Sequence, residues 1–114
     1  MSKIDYGCGE GNLTVKLSKK SKKKVVGIDI CEKSIESAKF FETENLKFYF
    51  GDGRKELEFN EEFDIAISMF VIQFAKTKEE LKLFLSSMYK SLKKGGVVCG
   101  VTVKQFLVSK LFFV

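Results

Sequence analysis

Short apolar runs alternate with helix-period stretches along this chain. Lys3 to Tyr6 reads as a strand and runs into a glycine-rich turn, Gly7 to Gly11. A helix is predicted from about Asn12 to Lys20, with Leu13 and Leu17 on one face. Lys24 to Ile28, rich in Val and Ile, reads as a buried strand. The next helix, Glu32 to Phe41, sets Ile35, Ala38 and Phe41 on one side. Lys47 to Phe50 and Phe63 to Met69 read as strands, while Asp52 to Glu62 between them is too short and polar for a helix. The clearest periodic segment is Lys78 to Lys93, where Leu81, Phe84, Leu85, Met88 and Leu92 keep the rhythm of one helix face. Thr77 and Glu80 suit a capping box at its start. Lys93, Lys94 and Gly95 suit its end, the lysines against the helix dipole and the glycine in a left-handed conformation. Val97 to Val103 reads as the last strand. The stretch from Gln105 to Val114 is too apolar for a free tail, and its pattern fits helix and strand alike.

Strands that alternate with helices argue for β-α-β units and a parallel sheet. There is no proline, low-complexity linker or internal repeat, and 114 residues suffice for one small domain. The expected organisation is one α/β core over residues 1–103 and an apolar tail over 104–114.

Composition narrows the chemistry. Apolar residues make up 45% of the chain, enough for a packed core. No apolar run reaches the roughly 18 residues of a membrane span, and the N-terminus carries no signal pattern, so a cytoplasmic protein without membrane contact is expected. The three cysteines, Cys8, Cys31 and Cys99, have no C-x-x-C spacing, and histidine is absent. That argues against a metal site or disulfide framework and removes histidine-dependent nucleophilic catalysis. The net charge of +5 is concentrated at Lys19, Lys20, Lys22, Lys23 and Lys24. No aromatic residue interleaves that run, so a solvated helix end is expected there in preference to a nucleic-acid contact.

Four segments carry candidate chemistry. The first is Asp5-Tyr6-Gly7-Cys8-Gly9-Glu10-Gly11, where a strand turns sharply into a helix and the backbone must approach a ligand closely. Asn12 occupies the place where a dinucleotide fingerprint would have its third glycine. The second is Asp29, 18 residues beyond Gly11 at a strand end, where a carboxylate can accept both ribose hydroxyls of an adenosine. An ordinary acidic helix cap is the alternative. The third is Gly51-Asp52-Gly53, where a carboxylate and a backbone N–H can meet an adenine edge, or simply form a turn. The fourth is the strand Phe63 to Met69 with Phe70, which leaves the sheet where strand order reverses, so that Ser68, Met69 and Phe70 face the bound group.

From Ile4 to Val103 these segments together resemble the class I S-adenosylmethionine-dependent methyltransferases, in particular the small-molecule-type branch. The D-x-G-C-G-x-G turn, Phe63-Asp64 with its strand, and Leu92-Lys93-Lys94-Gly95-Gly96 fall in the family's order and spacing. The resemblance implies a Rossmann-like parallel sheet ordered 3-2-1-4-5 and S-adenosylmethionine as cofactor. It implies that Gly7, Gly9 and Gly11 pack on the methionine portion, with Asp5 supporting its amino group. Asp29 would take the ribose, Ile30 would cover one adenine face, Asp52 and Gly53 would read the adenine edge, and Ser68 would lie near the methionyl end.

Lys94 stands where relatives often have proline, and Gln73 where many have histidine. Relatives usually begin with a helix before the first strand and add a helix and two strands after the fifth, so the chain is expected to be truncated at both ends. Part of the sheet near its fourth and fifth strands is then expected to be exposed, with self-association or a partner chain engaging strand 5 and the tail. The leading reading is methyl transfer to an unidentified small-molecule acceptor, and no residue stands out as catalytic. Tyr6, Phe70 and Phe74 are candidates to face the cationic sulfur, with core packing the expected role of at least two of them. The competing readings are a non-catalytic cofactor-binding fragment or partner subunit and a nicotinamide-dependent oxidoreductase. Asp5 and Asn12 speak against the last.

Overall fold

Strand β1 (Lys3–Tyr6) sits at the centre of the molecule because it pairs on both edges, with β2 (Val25–Asp29) and with β4 (Phe63–Met69). In this computed structural model, which describes residues 1–55, 58–69 and 75–101, β2 also pairs with β3 (Leu46–Phe50), and β4 with β5 (Leu92–Val101). The sheet has five strands, all parallel, in the order β3-β2-β1-β4-β5. This is the expected order.

Alternation along the strands sends side chains to two cores. Ile4, Tyr6, Val26 and Ile28 join Phe63 and Ala66 in one cluster, against Leu81, Phe84 and Met88 of helix α3 (Lys78–Ser91). Val25, Leu46 and Phe48 join Ile35 and Ala38 of α2 (Glu32–Ala38) in the other, with Val15 and Leu17 of α1 (Asn12–Lys19) packed against them. Helices α1 and α2 therefore lie on one face and α3 on the other. That change of face falls between β1 and β4, where an open sheet of this kind has its crevice.

Several local expectations are corrected. Helix α3 stops at Ser91 and not at Lys93, and Leu92 is already extended and paired with Phe63. Leaving the helix early buries Leu92, which is only 6% exposed, and sets Lys93 3.8 Å from the Asp64 carboxylate. Gly95 does take a positive φ of 85°, but in the irregular part of β5 and not as a helix cap. The second helix ends as α-helix at Ala38, and Lys39–Phe41 tightens to a 3-10 turn with Phe41 exposed. Leu85 is exposed as well. Helix α1 buries Thr14 and Ser18, while Leu13 is exposed.

Thr77 caps α3 by accepting from the Glu80 N–H at 3.1 Å, but the Glu80 carboxylate accepts from the Lys76 N–H and not from that of Thr77. Residues 102–114, and with them the end of the last expected strand and the apolar tail, lie outside the described residues. Val97, Val98 and Val101 of β5 are exposed. Among the described residues no helix is long and apolar enough to cross a membrane, and no group of acidic residues and cysteines could hold a metal ion.

Candidate functional site

The glycine turn begins where β1 ends, and it is tied to the neighbouring strand end. Gly7 and Cys8 donate their N–H groups to the Ile28 carbonyl at 2.7 and 3.0 Å. Gly11 takes a φ of 91°, in the left-handed region that glycine tolerates, and its carbonyl accepts from the Val15 N–H as α1 begins.

Asp29, the last residue of β2, binds this turn to the start of α2. Its Oδ2 accepts from the Gly9 N–H at 2.8 Å, and its Oδ1 accepts from the Cys31 N–H at 2.8 Å. An ionised carboxylate offers about four acceptor positions. The two bonds fix its orientation and leave about half of that capacity open.

Beyond the strand ends lies a cavity of about 400 Å³, in the size range of small-molecule sites. Of the sequence-derived candidates, Gly7, Asp29, Ile30, Asp52 and Gly53 line it, together with Gly51. Tyr6 and Met69 line it too. The glycine turn and the two carboxylates are thus brought to one crevice at the carboxyl edge of the sheet.

Four candidates are not among the lining residues. Asp5 is 2% exposed and accepts the Thr14 hydroxyl at 2.9 Å. Its pKa is raised to about 6, chiefly by burial, with the Thr14 bond opposing the rise and the Asp29 charge adding to it. Gly9 contributes its N–H to Asp29, and Gly11 packs over Phe48. Ser68 is buried in β4, and among the described residues its hydroxyl has no hydrogen-bond partner. Phe70, Gln73 and Phe74 lie outside the described residues.

Sequence reasoning missed Ile28, Arg54 and Phe84 on the wall. Phe84 approaches from α3. A Cβ added to Gly53 would stand 3.1 Å from its ring, so the glycine permits that close approach. Its place in the periodic face of α3 marked Phe84 as core but not as cavity. Arg54 binds Asp52 through both side-chain oxygens and holds its carboxyl below the usual carboxylate range. The Tyr6 hydroxyl donates to the Ser87 carbonyl at 3.3 Å, and burial raises its pKa.

The wall therefore offers a half-satisfied carboxylate at Asp29, apolar surface at Ile28, Ile30 and Met69, and a second carboxylate at Asp52. That donor set fits a nucleoside: a diol at one carboxylate, a flat apolar ring in the middle, and a ring edge at the other. An adenosine-bearing cofactor matches these groups.

The sequence profile of a family described as "Methyltransferase domain" matches residues 1–111. The chain is 32% identical over 111 residues to the ubiquinone biosynthesis O-methyltransferase of Pelagibacter ubique (strain HTCC1062), covering 96% of this chain and 45% of that protein. It is 31% identical over 110 residues to the mRNA cap guanine-N(7) methyltransferase of Schizosaccharomyces pombe, covering 85% of this chain and 30% of that one. The chain thus spans less than half the length of these curated relatives. A solved S-adenosylmethionine-dependent methyltransferase from Clostridium acetobutylicum superposes with a TM-score of 0.80 at 24% identity, over 96% of this chain and 46% of that structure.

Proposed function

The chain belongs to the S-adenosylmethionine-dependent methyltransferases, and on that premise we propose that its cavity binds S-adenosylmethionine and that the domain serves methyl transfer to a small-molecule acceptor. The observation that carries the reading is the convergence of Gly7, Asp29, Asp52 and Gly53 on one cavity beyond the parallel strand ends.

In this reading Asp29 receives the ribose hydroxyls, since the Gly9 and Cys31 N–H groups already aim its carboxylate and leave acceptor capacity free. Ile30 covers one adenine face, and Asp52 with Gly53 meets the adenine edge. Gly7, Gly9 and Gly11 form the floor for the methionine portion, and Ser68 lies toward its end. Asp5 supports the amino group from behind the turn. Its raised pKa is consistent with that role, because a nearby cation would restore the ionised form.

The cofactor, when bound, supplies a methyl group already activated on a sulfonium. The chain's own residues then need only hold and orient donor and acceptor. No residue is assigned as general base.

The small-molecule acceptor is supported by the likeness to the ubiquinone-pathway enzyme, which is slightly more similar to this chain than the mRNA-cap enzyme. A cytoplasmic setting belongs to the same proposal and is consistent with three free thiols. So does engagement of β5 by a further chain, which its exposed valines support.

Calorimetric titration with S-adenosylhomocysteine tests the binding half of the proposal. One molecule is expected to bind per chain, and Asp29→Ala is expected to weaken binding by roughly 1.5–3 kcal/mol, the range for a lost charge-assisted hydrogen bond. A folded wild-type chain that takes up none at millimolar ligand, or an Asp29→Ala variant of unchanged affinity, contradicts it.

A further inference from the structure

Arg54 stands on the cavity wall with its guanidinium engaged at both ends. Nε donates to Asp52 Oδ1 at 3.0 Å and Nη2 donates to Asp52 Oδ2 at 3.0 Å, a bidentate pairing. The Arg54 backbone N–H reaches the same Oδ1 at 2.9 Å. On its far side, Nη1 donates to Glu80 Oε1 at 3.3 Å. Glu80 is held in turn: its Oε2 accepts from the Lys76 N–H at 2.6 Å, and its own N–H donates to Thr77 Oγ1 at 3.1 Å. The loop after β3 is thereby strapped to the first turn of α3 across 26 positions of sequence.

This arrangement restricts what Asp52 can do. Of about four acceptor positions on a carboxylate, Arg54 occupies three, two on Oδ1 and one on Oδ2. What remains is one position on Oδ2, on a side chain that is only 15% exposed. The positive charge beside it also keeps the carboxyl ionised, so it accepts hydrogen bonds and does not donate them. An unclamped aspartate could rotate, or take up a proton and donate to a carbonyl. A clamped one presents a single acceptor from a fixed direction.

Resting on the adenosine reading of the cavity, we propose that Arg54 is a positioning residue that makes Asp52 selective for an amino-bearing purine over an oxo-bearing one. The exocyclic amine of adenine donates to the open position on Oδ2. A carbonyl at the same place would set two acceptors against each other. Glu80 serves the selection at one remove, by holding the outer end of the guanidinium.

The test is to titrate the wild-type chain, Arg54→Gln, Arg54→Lys and Glu80→Gln with S-adenosylhomocysteine and with its 6-oxo analogue, S-inosylhomocysteine. The wild type is expected to prefer the amino purine by at least about tenfold, as for a buried acceptor left facing an acceptor. Arg54→Gln and Arg54→Lys are both expected to bring that ratio below about threefold, because lysine keeps the charge but not the two-pronged geometry. Glu80→Gln is expected to fall between. A general loss of order would weaken both ligands alike, so variants that keep the wild-type ratio overturn the proposal even where both affinities fall. Should Arg54→Gln fail to fold, Arg54→Lys and Glu80→Gln decide. Wild-type protein that binds both purines equally overturns the selectivity but leaves the cavity reading intact. A folded wild-type chain that binds neither overturns both.

Discussion

Asp5 is 2% exposed, and its side chain has one hydroxyl partner, Thr14. Its carboxyl is pushed from an ordinary value of 3.8 up to about 6. A carboxyl raised in the folded state binds more protons there than in the unfolded chain, so stability falls as pH rises between the two values. The cost of ionising Asp5 is absent below about pH 4 and complete above about pH 6, and amounts to roughly 3 kcal/mol at most. Asp5→Asn cannot titrate. Urea unfolding of both proteins at pH 4 and pH 7 is expected to show the wild type losing ground to Asp5→Asn at the higher pH. A difference between the two that does not change with pH contradicts the burial of an ionising carboxyl at this position.

The elements show what the sequence could and could not reveal. Strands β2, β3 and β4 were legible because each is a short stretch rich in Val, Ile or Phe bounded by polar turns, and the carboxylates Asp29 and Asp52 fall at or just past the strand ends. The packing face of α1 was legible only in part: Leu17 packs against the core as the hydrophobic rhythm suggests, but Leu13 is exposed, and the buried Thr14 and Ser18 carry no hydrophobic signal. The end of α3 was misread because Lys93, Lys94 and Gly95 look like a helix terminus, while the pairing of Leu92 with Phe63 is a contact between distant segments. Arg54 was overlooked on the cavity wall for the same reason, since nothing local in Gly51-Asp52-Gly53-Arg54 points toward Glu80.

The ring of Phe48 lies against both Gly11 and Gly27. A Cβ on Gly27 would stand 2.6 Å from Phe48 Cδ1 and 2.9 Å from Cys8 Sγ, well inside contact distance. Gly27→Ala is expected to cost about 1–3 kcal/mol of stability by overpacking. Adding Phe48→Leu is expected to return part of that cost relative to the two single changes summed. Chemical denaturation of the single and double variants checks this, and full additivity would mean that Phe48 is not the obstacle.

At the scale of the whole molecule, two cores cover the two faces of a five-stranded sheet, and the change of face between β1 and β4 leaves the crevice open at the carboxyl edge. The order of strands brings Gly7, Asp29 and Asp52 together from the ends of β1, β2 and β3, although they are widely spaced in sequence. At the far edge, neighbouring residues of β5 point to opposite faces, and Val97 and Val98 are both exposed. The binding half of the reading is local to one edge of the sheet and does not depend on what covers the other. Its most direct test is a crystal structure of the chain with S-adenosylhomocysteine. The ribose is expected within hydrogen-bond distance of the Asp29 carboxylate, with the purine amine at Asp52. A ligand lodged elsewhere, or an adenosine that leaves Asp29 without a ribose contact, would contradict it.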